Sequence, residues 1–388
     1  MQYRTDKISG NKLSALGLGC MRFPRDKAET ERMILTAIKG GVNFFDTAYI
    51  YPGSEKTLGE ILAKNNVRKE IYLATKMPLL KCKKYEDFDR FFHEQLERLK
   101  TDYIDYYFLH NITNFAQWEQ YKEIGLERWI SEKKANGQIK QIGFSYHGTT
   151  GDFIQLIEDY PWEFCMIQYN YADENYQAGK TGLKAAAAKG MPIMIMEPLL
   201  GGRLATGLPK QAVQLFAKYD KERTPAEWAF RWLWNQEEVT VVLSGMNSEK
   251  IMNANLESLD RFTPITEEEF AIYDQVVEEF KKAYKIKCTA CDYCLPCPKG
   301  INIPACFSAY NNSYSQGFIT GMTLYLTSTS VMSKERPSPN LCTQCGVCER
   351  NCPQNLNIRE DLKLVTKRFE SLPFRIGLNI ARKVITRS

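Results

Sequence analysis

Short runs of aliphatic and aromatic residues recur eight times in the first 250 residues, and amphipathic segments separate them. The segments between the runs repeat their apolar residues at helical spacing, at 29–39, 57–64, 85–100, 126–136, 180–189 and 225–235. Alternating strands and helices predict a parallel sheet, and eight repeats predict a closed (β/α)8 TIM barrel. The eight predicted strands are residues 16–23, 42–47, 71–76, 103–110, 139–145, 165–170, 192–197 and 240–244.

An open, doubly wound α/β sheet is the alternative fold for such an alternation. That fold normally carries a glycine-rich phosphate loop between its first strand and its first helix. The corresponding segment here reads LGLGCMRF, which contains glycines but is not followed by a GxxG that opens a helix. The pattern therefore favours the barrel.

The barrel pattern ends with a helix predicted for residues 266–284, where Thr266 and Glu269 have the spacing of a capping box. We therefore predict a barrel domain at 1–284 and a smaller, mainly helical domain at 285–388. The basic tail of the second domain, residues 362–388, has spaced apolar residues. It would form a helix on its own domain or lie on a membrane surface.

Composition and charge restrict the class of protein. With 44% hydrophobic and 25% charged residues, the chain is typical of a globular protein, and no run reaches the ~18–20 apolar residues of a membrane span. The first residues, MQYRTDKISGNKLSAL, lack the apolar stretch of a signal peptide, so we expect a cytoplasmic location.

The two predicted domains differ in charge. Residues 1–284 contain 37 Lys and Arg against 40 Asp and Glu, whereas residues 285–388 contain 14 against 6. Nucleic acid is not the expected partner, because the basic residues form no stripe with interleaved aromatic residues. The excess of Lys and Arg in residues 285–388 is better explained by anionic, thiolate-bound clusters, whose charge the nearby cations would offset.

Nine of the twelve cysteines lie between Cys288 and Cys352, in two motifs that each end in Cys-Pro. The second motif matches the ferredoxin pattern CxxCxxCxxxCP, and the first is one residue shorter before its last cysteine. In two-cluster ferredoxins the fourth cysteine of each motif binds the other cluster. We therefore expect two [4Fe–4S] clusters, one held by Cys288, Cys291, Cys294 and Cys352 and the other by Cys297, Cys342, Cys345 and Cys348.

Two alternatives to this assignment remain open. The shortened first motif would leave a single cluster if its site were incomplete. Zinc usually takes paired CxxC knuckles well separated in sequence, which fits two runs of three evenly spaced cysteines less well. The ninth cysteine, Cys306, is interpreted as a packed free thiol.

Ionisable residues mark three consecutive strand ends of the predicted barrel. Asp46, Lys76 and His110 end the second, third and fourth strands, and Tyr51 follows Asp46 on the same loop. Enzymes on this fold carry their chemistry at the carboxyl ends of the strands. A lysine ammonium lowers the pKa of a nearby tyrosine, and an aspartate keeps the lysine charged. Each residue alone has an ordinary structural explanation, but the four together indicate acid catalysis.

The first 284 residues resemble the aldo-keto reductase family. The resemblance rests on GLGCMRFP, on GVNFFDTAYIYPGSEKTLGEIL with its family-specific DTAxxY and SExxLG, and on LATKMP, DYIDYYFLHN, IGFSYHG, QYNY and MEPLLGG. It implies a reductase that transfers hydride from NADPH or NADH to a small carbonyl substrate, with Asp46, Tyr51, Lys76 and His110 as catalytic residues. The residues that the resemblance assigns to the cofactor are Ser145 and Gln168 for the carboxamide, and Pro198, Leu199, Gly201, Ser244, Gly245, Lys250 and Asn255 for the pyrophosphate and adenosine.

One departure from the family pattern concerns the cofactor's 2′-phosphate. Many members have a lysine or arginine just after the last strand, where this chain has Ser244, and Ala254 stands where a glutamate is common. Lys250 is the remaining nearby cation that could bind a phosphate. The choice between NADPH and NADH is therefore open.

A barrel reductase with this cysteine-rich extension resembles a bacterial and archaeal subgroup of the family. Hydride transfer moves two electrons, whereas an iron–sulfur cluster moves one. Three explanations for the presence of both in one chain stay open. The clusters are structural, or they exchange electrons with another partner, or a bound flavin that has no sequence motif mediates between them and the nicotinamide. The alternative function is an electron-transfer or redox-regulatory protein whose barrel binds a nucleotide or flavin without carbonyl reductase turnover.

Overall fold

The computed structural model describes residues 1–329 and 337–371 of the 388-residue chain. Eight parallel strands close into a barrel in the order β3 to β10, with β10 paired to β3, and an antiparallel hairpin, β1–β2, precedes them. The strands are β1 (Tyr3–Thr5), β2 (Lys12–Ser14), β3 (Leu16–Gly19), β4 (Phe44–Asp46), β5 (Tyr72–Met77), β6 (Ile104–Ile112), β7 (Ile139–Tyr146), β8 (Phe164–Gln168), β9 (Ile193–Met196) and β10 (Val241–Ser244). The predicted barrel is confirmed, and each of the eight hydrophobic runs overlaps one barrel strand.

The register of the strands brings their carboxyl ends to one rim. Asp46 of β4 pairs with Ala74 of β5, and Lys76 of β5 pairs with Phe108 of β6. Inward side chains from the strands pack into a core that fills the barrel, as is usual for this fold. This core comprises Leu13, Phe44, Ala74, Tyr106, Phe108, Phe164, Met166, Met194, Val241 and Leu243.

The hairpin β1–β2, which the sequence pattern did not predict, reaches the opposite, amino-terminal end of the barrel. Its connecting turn contains Asp6, which is fully buried and accepts a hydrogen bond of 2.8 Å from the Tyr106 hydroxyl. Asn11 also donates to that hydroxyl. Because Tyr106 lies near the start of β6, these bonds place the hairpin at the end remote from Asp46 and Lys76.

Helices follow the strands as the sequence pattern predicted. They are α1 (Lys27–Lys39), α2 (Ser54–Asn65), α3 (Tyr85–Leu99), α4 (Phe115–Glu123), α5 (Leu126–Ala135), α6 (Thr150–Asp159), α7 (Gly179–Ala188), α8 (Lys210–Tyr219), α9 (Pro225–Trp234), α10 (Glu249–Asp260), α11 (Glu267–Ala283), α12 (Ile303–Ser315), α13 (Phe318–Ser328), α14 (Val347–Arg350) and α15 (Ile358–Phe369). Thr266 and Glu269 form the predicted capping box at the start of α11.

The chain divides into two compact units. The barrel unit consists of residues 1–198 and 229–265, and the second unit consists of residues 199–228 and 266–388. The second unit thus includes α8 and α11, which pack against each other, together with the cysteine-rich segment. The proposed domain boundary at residue 284 stays a prediction.

The second unit has an apolar core of its own. Helices α12, α13 and α15 contribute buried residues such as Phe307, Tyr325 and Leu362, and six of the eight motif cysteines belong to this core or pack against it. Helix α15 buries Leu362, Val365 and Phe369, so residues 362–369 of the predicted basic tail belong to a helix that packs on its own unit. Residues 372–388 of that tail lie outside the described part of the chain.

Candidate active site and iron–sulfur centres

The structure gathers the four predicted catalytic residues at the carboxyl rim of the barrel. The Lys76 Nζ lies 2.5 Å from the Asp46 Oδ1 and 5.1 Å from the centre of the Tyr51 ring. The Tyr51 and His110 rings are 6.1 Å apart and nearly perpendicular. Asp46, Lys76 and His110 are buried, whereas Tyr51 is only partly buried. Tyr51 is therefore the member of the four that solvent or a substrate can reach.

Burial and pairing set the charges of Asp46 and Lys76. Burial raises the pKa of Asp46 and lowers the pKa of Lys76, and the attraction between the two groups opposes both shifts. The ammonium also donates to the Thr47 carbonyl oxygen at 2.7 Å. An ammonium held by a carboxylate and a carbonyl is fixed in place, so its charge acts on Tyr51 from a constant position.

His110 is neutral near pH 7. Burial, the nearby charge of Lys76 and then that of His147 lower its pKa well below the ordinary value. A neutral imidazole has one N–H donor and one acceptor nitrogen. His110 can therefore hydrogen-bond an uncharged oxygen without adding a second positive charge beside Lys76.

A buried hydrogen-bonded network supports the strand that carries Lys76. Glu55, at the start of α2, accepts from the Thr75 hydroxyl at 2.6 Å and from the Gln95 amide at 2.7 Å. The same Gln95 amide donates to the Lys76 carbonyl oxygen at 3.1 Å, and Arg98 forms an ion pair with Glu55. Glu55 belongs to the SExxLG motif, so the motif was visible in the sequence but its role as a support for Lys76 was not.

Ser145, the last residue but one of β7, and Gln168, the last residue of β8, are the predicted carboxamide-binding residues and are almost fully buried. The Ser145 Oγ accepts a hydrogen bond of 2.8 Å from the Asn111 backbone N–H, which leaves the serine proton available to another acceptor. Asn111 has a left-handed backbone, with φ of 62°. Within the described residues its buried Oδ1 has no hydrogen-bond partner, and the sequence reasoning did not single it out.

His147 is a second buried histidine that the sequence reasoning did not assign to the site. It follows β7 directly, is 8% exposed, and its Nδ1 lies 3.2 Å from the Gln177 Oε1. Burial lowers its pKa to about 4, and the hydrogen bond to Gln177 opposes that shift. Its position after Ser145 and Tyr146 was readable from the sequence, but its burial was not.

The predicted adenosine-binding residues gather where β10 meets α10. The Asn255 side chain donates to the buried Ser244 Oγ at 3.0 Å, which ties the strand end to the helix. Gly245 has open space where a Cβ would lie, and Lys250 is exposed in the first turn of α10. A helix amino terminus with an exposed lysine suits a phosphate.

The predicted pyrophosphate turn follows β9. Pro198 belongs to the barrel unit, whose first segment ends there, and Leu199 and Gly201 belong to the second unit. Gly201 has φ of 66°, and a Cβ there would lie 2.2 Å from the Thr289 carbonyl oxygen. Thr289 adjoins Cys288, so within the second unit this turn packs directly on the first cysteine motif.

The motif cysteines line two separate cavities in the second unit. The first cavity brings together Cys288, Cys291, Cys294 and Cys352, which come from both motifs. The second brings together Cys297, Cys342, Cys345 and Cys348, with Cys294 at its border. These are the two sets expected from the ferredoxin pattern. Cys306 is fully buried in α12 and lines neither cavity.

Left-handed residues bend the loops around each cavity. Ala290 and Asp292 have positive φ in the first motif, and Gln344 and Gly346 have positive φ in the second. Such turns let cysteines three residues apart face one centre. Within the described residues no three side chains of His, Cys, Asp or Glu are close enough to bind a single metal ion.

Acid–base groups gathered at the carboxyl rim of an eightfold barrel are typical of barrel enzymes. The sequence model of the aldo/keto reductase family matches residues 15–278, and the chain belongs to that family. A second family model, described as a 4Fe-4S dicluster domain, matches residues 287–357. The protein is therefore an oxidoreductase with an iron–sulfur domain.

Similar proteins agree with this family. An aldo-keto reductase of Mycolicibacterium vanbaalenii is 29% identical over 64% of this chain and 84% of its own length. A morphine 6-dehydrogenase of Pseudomonas putida is 40% identical over 35% of this chain and 43% of its own length. The holo form of an aldo-keto reductase from Bacillus halodurans shares the fold, with 24% identity, a TM-score of 0.60, and coverage of 71% of this chain and 96% of its own.

Another relative is a 6-dehydroglucose reductase of Novosphingobium aromaticivorans, which is 29% identical over 51% of this chain and 69% of its own length. In the part of the chain that the structure covers, no helix has the length and hydrophobicity needed to cross a membrane.

Proposed function

We propose that this enzyme uses NAD(P)H to reduce an aldehyde or ketone to an alcohol, or catalyses the reverse oxidation. The observation that carries the proposal is the position of the Lys76 ammonium, 2.5 Å from Asp46 and 5.1 Å from the Tyr51 ring centre. A bound reduced nicotinamide would supply the hydride. Relatives named a dehydrogenase and a reductase support a reaction in either direction.

In this proposal the protein's own residues place and move the proton. The Tyr51 hydroxyl donates its proton to the carbonyl oxygen, and the charge of Lys76 favours the phenolate that remains. Asp46 keeps Lys76 charged and fixed. His110, which is neutral because its pKa is lowered, donates a hydrogen bond that orients the carbonyl oxygen.

The polar groups at the neighbouring strand ends fit a nicotinamide carboxamide. Ser145 and Gln168 would hold that group, as the family resemblance implies. The buried Oδ1 of Asn111 is a further candidate acceptor for that group, since the backbone N–H of the same residue donates to the Ser145 Oγ. We assign Leu199 and Gly201 to the pyrophosphate by the same resemblance.

Lys250 provides a test of cofactor choice. It is exposed in the first turn of α10, the helix that also carries Asn255, and would contact the 2′-phosphate of NADPH. We expect Lys250→Ala to raise the KM for NADPH about tenfold and to leave the KM for NADH unchanged. Equal effects on both cofactors would remove Lys250 from the phosphate site.

We further propose two [4Fe–4S] clusters, held by the two cysteine sets that line the two cavities. When bound, such clusters supply one-electron transfer. Anaerobically prepared protein should contain about eight irons and eight acid-labile sulfides per chain. About four irons would indicate one cluster, and stoichiometric zinc without visible absorbance would overturn the assignment. Flavin extraction from the same preparation determines whether a flavin is also bound.

The decisive test of the catalytic assignment is Tyr51→Phe. Loss of a general acid typically lowers turnover by about 10²- to 10⁴-fold, and we expect a loss in this range with the NADPH dissociation constant unchanged. Tyr49→Phe is the matched control, because Tyr49 lies on the same loop and bonds Glu94 at 2.7 Å, outside the catalytic group.

Unchanged turnover of Tyr51→Phe would reject the assignment of the general acid. If the wild-type protein binds NADPH tightly but reduces no compound in a panel of aldehydes and ketones, the electron-transfer or redox-regulatory alternative is favoured instead.

A further inference from the structure

The eight motif cysteines differ in their exposure. Cys288 and Cys348 are buried, five others are partly buried, and Cys345 alone among the eight is exposed. Cys345 belongs to the set that lines the second cavity. Electron tunnelling requires a short distance between redox centres, so an external partner would reach a cluster in the second cavity through the side at Cys345.

Positive charge surrounds this exposed cysteine. Lys299 and Arg359 line the second cavity, and the Arg350 guanidinium lies 3.4 Å from the Cys345 carbonyl oxygen. Lys299 and Arg350 are exposed to solvent. Glu349, the nearest acidic side chain in this motif, is engaged by Arg359 at 2.7 Å. We call Lys299, Arg350, Arg359 and Cys345 the basic face.

The two cavities differ in the sign of their charged lining. The second is lined by two cations and, among the residues described, by no acidic side chain, whereas the first is lined by Asp292 and by no Lys or Arg. Cations that only offset cluster charge would be expected at both cavities. Their restriction to the cavity with the exposed cysteine indicates a role at the surface.

We propose that the basic face docks an acidic one-electron carrier protein, which exchanges one electron with a cluster in the second cavity. The inference rests on the proposed cluster assignment. The reduced carrier loses one electron and the cluster core changes from 2+ to 1+, while no covalent bond forms or breaks. Anionic membranes and nucleic acid also bind basic surfaces, but neither would require an exposed cluster ligand among the basic residues.

Charge steering gives the proposal a measurable signature. Complementary charge raises association rates by about 10- to 10³-fold, and salt removes this gain. Electron-transfer complexes have small interfaces, so a few charges account for much of the encounter rate. Reversal of two charges in the basic face should therefore slow the electron transfer without loss of the cluster.

The probe is a purified acidic flavodoxin, mixed in its reduced form with the anaerobic full-length holoprotein in a stopped-flow instrument. Bleaching of the cluster absorbance gives a second-order rate constant, which should fall at least about tenfold between 50 and 500 mM NaCl. Lys299→Glu with Arg350→Glu should lower the low-salt rate constant at least about tenfold and abolish its salt dependence. Titration calorimetry with oxidised flavodoxin should show the same loss of binding without any redox reaction.

The matched control is Lys210→Glu with Lys281→Glu, which reverses two exposed lysines of the same unit that line neither cavity. Iron and sulfide contents must equal those of the wild type in both double variants. A salt-independent rate, or equal rates for the two double variants, would overturn the proposal. Binding to vesicles with 30% phosphatidylserine, or to DNA, with no flavodoxin binding would also overturn it. Absence of iron from the second cavity would reject the cluster assignment, and this inference with it.

Discussion

The buried His147 should make the barrel unit sensitive to acid. Burial lowers its pKa in the folded protein to about 4, against 6.5 for an ordinary histidine. In the unfolded chain the imidazole is exposed and recovers the ordinary value. Between pH 6.5 and pH 4 the unfolded chain therefore binds a proton that the folded chain does not. Stability falls as the pH falls through this interval, and it is restored as the pH rises above 6.5.

The magnitude follows from the two pKa values. At about 1.4 kcal/mol per pH unit, the full difference corresponds to about 3 kcal/mol, of which about 2 kcal/mol is lost between pH 7 and pH 5. His110 acts in the same direction, because its pKa is also lowered in the folded state. A loss of this size is a large share of the ~5–15 kcal/mol by which a typical domain is stable.

The assay is urea unfolding at pH 7, 6 and 5, followed by tryptophan fluorescence, since five of the six tryptophans belong to the barrel unit. The His147→Asn variant should lose about 2 kcal/mol less than the wild type between pH 7 and pH 5. His93→Asn, which changes an exposed histidine on α3, should keep the full wild-type loss. Parallel pH dependence of the wild type and His147→Asn would refute the reasoning.

Three further predictions concern single contacts. Asp46→Asn leaves the Lys76 ammonium buried without its carboxylate and should destabilise the barrel unit by about 3–5 kcal/mol; an unchanged urea midpoint would contradict the ion pair. Gly201→Ala places a Cβ against the Thr289 carbonyl oxygen and should weaken NADPH binding at least about tenfold, measured by fluorescence titration. Retention of wild-type affinity would show that this turn does not position the cofactor. Cys345→Ser should retain about half of the iron, because the other cavity keeps its four cysteines; complete loss of iron would show that the two sites do not form independently.

The sequence alone was sufficient for the barrel and for the residues at its rim. Buried parallel strands appear in a sequence as short apolar runs, and a (β/α)8 barrel repeats such a run eight times. The eightfold repetition of these runs therefore predicts the barrel. A residue at the carboxyl end of a strand must lie at the rim, which is why Asp46, Lys76 and His110 could be grouped before any distance was known. The cysteine sets followed in the same way from the spacing of two local motifs.

The tertiary structure decided everything that depends on burial and on distant partners. Glu55 supports Lys76 through Gln95, which lies 40 residues farther along the chain, and no local period encodes such a bond. The hairpin β1–β2 escaped the sequence pattern because two three-residue strands are too short to show a period.

The electrostatic character of the sites was likewise set by packing. A histidine has the same sequence signature whether it is exposed like His93 or buried like His147, and it is burial in the folded protein that lowers the pKa of His147. The motif spacing treats Cys345 and Cys348 alike, and folding exposes the first and buries the second. Local spacing thus determined which residues meet, whereas the packing of remote segments determined their charge and their access to solvent.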